Sequence, residues 1–293
     1  MQSFEIGQDV RKFADIHMPS DAEEPILAGP VRAAVHEWMT EIWAAGDLED
    51  VGIAPRRSAI LYGPPGCGKT TLAHHFAARL GLPLVSINMD SLVSSHLGGT
   101  GNNIAKLFKA LEGREREYVL FMDEFDAVAT KRTSDNQASA REMNATVNSL
   151  LRRIEAFKGT AIAATNRNEA IDPAVWRRFG LHLDVKLPGW NERFAIARRY
   201  LHPFTLPDDD LDVIADVTEY ASPALIKQVM EGLKRALVLN ARLGRNVDLP
   251  GILDGIVASV QPQEGYNKPP LWEGKEAVAR FAAIGWPPER AAA

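Results

Sequence analysis

Residues 63–70, GPPGCGKT, constrain this chain more than any other stretch, because they follow the apolar run AILY (59–62) and precede the helix-like TLAHHFAARL (71–80). Strand, glycine-rich turn and helix in that order form a phosphate cradle. Gly63, Gly66 and Gly68 let the backbone wrap so that several N–H groups point inward, and the helix start adds its positive end. Pro64, Pro65 and Cys67 serve through their backbone, and Thr71 continues the turn into the helix. Lys69 supplies a point charge for β and γ phosphates, while the Thr70 hydroxyl is a ligand for Mg²⁺.

Such a cradle needs a second strand ending in carboxylates. YVLFMDEFD provides one, with an apolar run through Met122 leading into Asp123 and Glu124. Asp123 is the candidate metal holder and Glu124 the group that orients and deprotonates an attacking water; Asp126 reads as structural. A further strand, TAIAATN, ends at Asn166, whose amide can hold that water. Ligands bind at the carboxyl ends of parallel strands, which favours function there. Arg177 and Arg178 in AVWRRFG place two guanidinium groups side by side and call for an anion.

Around these motifs, apolar or β-branched runs at 59–62, 84–87, 118–122, 160–164 and 183–187 alternate with helix-like stretches, predicting an α/β core with five parallel strands. Before it, Val31, Val35, Trp38, Ile42 and Trp43 recur at helical spacing over 30–48. Beyond Pro188-Gly189 the strand pattern stops, and 192–200, 211–217 and 223–242 read as helices. The expected division is a nucleotide-binding core with a helical lead-in over 1–188, a small all-helical domain over 189–260, and an irregular tail over 261–293. The tail carries five prolines and one short helical pattern at Val278, Phe281 and Ile284.

Composition narrows the function classes. Of 293 residues, 46% are hydrophobic and 24% charged, as in a globular chain, and the net charge of -5 opposes a general grip on nucleic acid. No apolar run reaches membrane length, and MQSFEIGQDVRK lacks the basic and apolar parts of a secretory signal, so a cytoplasmic protein is expected. Cys67, the single cysteine, allows neither an internal disulfide nor a cysteine metal cluster, and no HExxH motif occurs.

Taken together, YGPPGCGKTTLA, VLFMDEFDA, AATNR and IDPAVWRRF, in this order and spacing, resemble the AAA+ ATPases, and more narrowly the subgroup of katanin, spastin and the membrane-bound bacterial proteases. The likeness covers roughly residues 10–250. It implies a P-loop NTPase sheet in the order 5-1-4-3-2, a helical lid, ATP or ADP with Mg²⁺ bound between core and lid, and a homo-oligomeric, hexameric ring. Arg177 and Arg178 match arginine fingers that reach a neighbour's γ phosphate, although the segment lacks the family's commoner Pro-Gly insert. FADIH resembles the segment passing the adenine, making Asp15 and Ile16 contacts. SHLGG matches the pore loop that grips a polypeptide, with His96 in place of the usual aromatic and Leu97 keeping an apolar contact. The implied activity is an ATP-hydrolysing motor that remodels or translocates a protein client. Two alternatives stay open: a nucleotide-controlled scaffold regulating a partner enzyme, and a nucleic-acid-associated helper.

Overall fold

A computed structural model describes residues 11–92, 99–129, 138–244 and 248–291. The chain divides into two compact units, one of residues 1–25, 29–63 and 69–185, the other of 26–28, 64–68 and 186–293.

The first unit is built on a six-stranded sheet: β1 (Ala14–His17), β2 (Ser58–Tyr62), β3 (Leu84–Asn88), β4 (Val119–Asp123), β5 (Thr160–Thr165) and β6 (Leu181–Asp184), in the spatial order β1-β3-β4-β5-β2-β6. The five strands β2 to β6 are parallel and realise the expected 5-1-4-3-2 order. β1 is an addition that the sequence reading missed; it pairs antiparallel with β3. β4 and β5 lie in the middle, and every residue from Val119 to Met122 and from Thr160 to Thr165 is buried. Burial on both faces explains why these strands read as continuous apolar runs and not as alternating ones.

Helices α1 (Gly29–Trp43), α2 (Lys69–Arg79), α3 (Gly99–Leu111) and α4 (Ala138–Ala156) belong to this unit. α3 buries Ile104, Leu107 and Leu111, three positions on one helical stripe. α1 packs through Trp38, whose ring stacks on Phe76 of α2 with centroids 4.1 Å apart and whose indole N–H donates to the Arg56 carbonyl at 2.8 Å. The expected helix over 30–48 is interrupted at Ala44 and resumes as Ala45–Asp50. Beside Trp38, the Glu41 carboxylate accepts from the Arg56 backbone N–H at 2.6 Å and from Nε at 2.7 Å. Burial alone would raise the Glu41 pKa, but these bonds and the guanidinium charge outweigh it and hold the pKa below its usual value.

The second unit is helical: α5 (Trp190–Leu201), α6 (Asp208–Val217), α7 (Pro223–Leu243), α8 (Leu249–Ser259) and α9 (Lys275–Ala282). Strands β7 (Phe204–Thr205) and β8 (Glu289–Arg290) form a short antiparallel pair. The sequence sets both ends of α7. The Ser222 hydroxyl accepts from Leu225 N–H at 3.3 Å and Pro223 occupies the first turn, while Gly244 closes the helix in the left-handed region. Ile226, Val229, Met230, Leu233 and Leu237 form its buried stripe. Described residues of the segment 261–291 pack into this unit. Leu271, Ala277, Phe281 and Ile284 are buried in the same core as α7, and the Trp272 indole donates to Val260 O at 2.7 Å. No helix among the described residues is long and apolar enough to cross a membrane.

Candidate functional site

The site begins where β2 ends. A Cβ on Gly63 would lie 2.2 Å from the Val185 carbonyl oxygen, so no side chain fits where the loop leaves the strand. Its φ of 138°, and the positive φ of Gly66 and Gly68, give the wrapped backbone that the motif requires. α2 starts at Lys69, which is buried, and its ammonium donates to the Gly63 carbonyl at 2.8 Å, folding the side chain back over its own loop. Pro64, Pro65 and Cys67 complete the turn, with Cys67 buried, and Thr71 stands on the first turn of α2.

Because β5 and β4 follow β2 across the sheet, the ends of three adjacent strands, each roughly 4.8 Å from the next, present the remaining groups side by side. The Thr70 hydroxyl donates to Asp123 Oδ2 at 2.7 Å, bringing together residues 53 positions apart. The other carboxylate oxygen, Oδ1, accepts the Glu124 N–H at 2.9 Å. Two hard oxygen donors in contact suit a small divalent cation that takes few protein ligands, as Mg²⁺ does. Glu124 itself has φ 51°, a conformation that costs a non-glycine residue on the order of 1–3 kcal/mol and persists where the surroundings impose it.

Those surroundings are visible. Phe125 N–H donates to Ala164 O at 2.8 Å, and the Thr165 hydroxyl donates to Asp126 at 2.8 Å while accepting Arg167 N–H at 3.0 Å. The turn after β4 is thereby tied to the turn after β5, which displays Asn166. Asp126 is held by this bond to Thr165. Thr165, which joins the two turns, was not singled out by sequence reasoning, because a threonine at a strand end carries no signal of its partners.

Arg177 and Arg178 are set at the other end of β2. Asp172 caps the short turn before them by accepting Ala174 N–H at 2.7 Å, Val175 and Phe179 are buried, and Phe179 meets Phe125 edge to face. The Ser58 hydroxyl donates to Arg178 O at 3.4 Å and accepts Gly180 N–H at 3.2 Å. Ser58 opens β2, whereas the phosphate loop leaves from Tyr62, roughly 13 Å further along the strand. The guanidinium of Arg178 is paired with Glu155 of α4. Arg177 is exposed; its backbone N–H donates to Val175 O, and its side chain makes no hydrogen bond or ion pair with another described residue. Glu155 lies 23 positions from Arg178, and nothing local in the sequence marks it.

The structure does not bring Asp15 and Ile16 to the loop. Both belong to β1, paired with Ser86 and Val85, and three strands separate β1 from β2. That places them roughly 19 Å across the sheet. Ile16 packs against the apolar core, and the short run forms an edge strand of the sheet. His96 and Leu97 lie outside the described residues.

The AAA model, described as ATPase family associated with various cellular activities, matches residues 59–187. An uncharacterized AAA family ATPase of Sinorhizobium fredii is 46% identical over 141 residues, 47% of this chain and 42% of that protein. Proteasome-activating nucleotidases of Pyrococcus abyssi and Methanopyrus kandleri are 36% identical over 188 residues and 34% over 189, each 62% of this chain and 47% and 43% of those proteins. The chain thus matches less than half the length of each of these relatives.

Proposed function

We propose, because residues 59–187 match the model of the AAA ATPase family, that this chain binds ATP on the loop 63–70 and hydrolyses it to ADP and phosphate, driving work on a protein client. The contact between Thr70 and Asp123 carries the reading, since it joins the cradle to the carboxylate strand. Lys69 faces the β and γ phosphates. Glu124, at the tip of its strained turn, takes the proton of the water that attacks the γ phosphorus as the bond to the β phosphate breaks. Asn166 orients that water. Mg²⁺, when bound, supplies positive charge to the phosphates, and Thr70 Oγ1 with an Asp123 carboxylate oxygen would hold it.

The arginines act between copies in a homo-oligomeric ring. The Arg178 backbone is tied to the start of β2, away from its own loop, and Arg178 is engaged by Glu155, so Arg177 is the finger that completes a neighbour's site. A guanidinium delivered in trans stabilises charge in the transition state and makes turnover depend on assembly. A protein client is supported by likeness to nucleotidases named for activating a proteasome. The test is Glu124→Gln. ATP binding, followed by titration calorimetry, should persist while phosphate release falls about 10²- to 10⁴-fold; turnover at the wild-type rate would refute the assignment.

A further inference from the structure

The helical unit carries two apolar surfaces that its own core leaves uncovered. The first is a ridge on α7, whose buried side is already accounted for by Ile226, Val229, Met230, Leu233 and Leu237. At 3.6 residues per turn, Arg235, Val238, Leu239 and Arg242 stand on the opposite side, at spacings of three, four and seven. Val238 is 58% exposed, Leu239 50%, and Leu243 beside them 58%. A helix packed on one core needs one apolar face, so a second, clustered one implies a partner.

The second surface is a groove of about 700 Å³ between α8 and α9. α8 lines it from Pro250 to Val257 and α9 from Lys275 to Ala282. Val257 and Val278 are its half-buried apolar walls, while Asp254 and Glu273 border it as exposed acids. The groove lies beyond residues 59–187, the part of the chain that the AAA model matches.

We propose that the α7 ridge of a second copy seats in the groove between α8 and α9, joining helical unit to helical unit. The inference rests on the homo-oligomer proposed above and names a surface that holds it, separate from the arginine contact. Three features of ridge and groove match. The first is length: Arg235 to Arg242, Pro250 to Val257 and Lys275 to Ala282 each advance seven residues, about 10 Å of helix. The second is size. Ala279 and Ala282 present small side chains, which lets an entering helix approach to the 8–10 Å axis separation of packed helices and brings Val238 and Leu239 against Val257 and Val278.

The third is charge. Arg235 and Arg242 flank the ridge, Asp254 and Glu273 flank the groove, and none of the four has an ion pair with another described residue. Lys275 is the one base lining the groove, so the acids outnumber it. Ridge and groove lie on different parts of one packed unit, and a chain cannot close them on itself. The contact is therefore head to tail, a geometry that repeats until a ring closes or a filament grows.

Sedimentation velocity of the full chain with ATP, over a concentration series, tests this. Leu239→Asp and Ala279→Arg both change exposed positions, and each should raise the concentration for half-assembly about tenfold or more, since the contact loses a buried leucine or has its groove filled. Thermal melts of the dilute chain should stay unchanged, which separates lost docking from lost folding. Arg235→Glu with Arg242→Glu should weaken assembly, as should Asp254→Arg with Glu273→Arg, and all four together should recover it. Assembly that ignores Leu239→Asp and Ala279→Arg, or that responds to the ridge and not to the groove, overturns the docking. A wild-type chain that stays monomeric throughout refutes the homo-oligomer itself, an outcome distinct from wild-type assembly with insensitive variants.

Discussion

The two ends of β2 are finished to different degrees. At its carboxyl end, Lys69, Thr70, Asp123 and Thr165 each have a hydrogen-bond partner within the chain, and even the strained turn at Glu124 is tied to the neighbouring strand. At its amino end the backbone of the arginine segment is equally well pinned, by Ser58, Asp172 and Phe179, yet it presents Arg177 to solvent. The backbone fixes a direction while the side chain has no partner among the described residues. On the function proposed above, one copy preassembles the chemistry and holds out the group that activates another copy.

The strongest way to break this contrast is Arg177→Ala. Phosphate release should fall about 10³-fold or more with ATP affinity intact, and mixing this variant with Glu124→Gln should recover part of the loss, since each supplies what the other lacks. No recovery in the mixture would mean that the arginine serves its own chain. A smaller effect is expected from Thr165→Val, which removes the donor to Asp126 and the acceptor for Arg167. A lost buried hydrogen bond of 1–3 kcal/mol corresponds to about tenfold in turnover with little change in binding; a loss of ATP affinity instead would show that the turn supports the loop and not the water.

Arg178→Ala should change turnover less than about fivefold, because its pair with Glu155 is exposed and such pairs contribute under about 1 kcal/mol. A deficit as deep as that of Arg177→Ala would reverse the roles of the two arginines. The smallest effect concerns Glu41 and Arg56, which lie beneath the same segment: a Cβ on Gly180 would touch the Arg56 side chain at 3.2 Å. A carboxylate held below its ordinary pKa of 4.5 contributes stability above that pH and loses it as pH falls through the folded value. Thermal melts should show Glu41→Gln less stable by under about 1 kcal/mol near neutrality, the gap closing below pH 4.5.

What was legible in the sequence follows from how local its cause is. The phosphate loop, Asp123, Glu124 and Asn166 announce themselves because strand, turn and chemistry are contiguous. The central strands do so because burial on both faces leaves an apolar run. β6 is offset, at Leu181–Asp184 against the expected 183–187, because its register is set by the length of β2, and Val185 continues past the strand to pair its N–H with Tyr62 O. β1 is four residues at an edge, too short for a periodic signal. The prolines after Gln261 suggested an irregular tail, and that Leu271 and Phe281 are buried with α7 is decided by residues distant in the sequence. The Arg178–Glu155 pair is likewise a product of tertiary packing.

The antiparallel strand β1 has a consequence for handling the protein. A bare sheet margin is a template on which other chains can pair, and β1 covers the flank of β3, where Val85 and Ile87 would otherwise lie at the border. A version trimmed to start beyond His17 would uncover that flank and invite self-association that mimics an assembled ring in size measurements while lacking its arginine contacts.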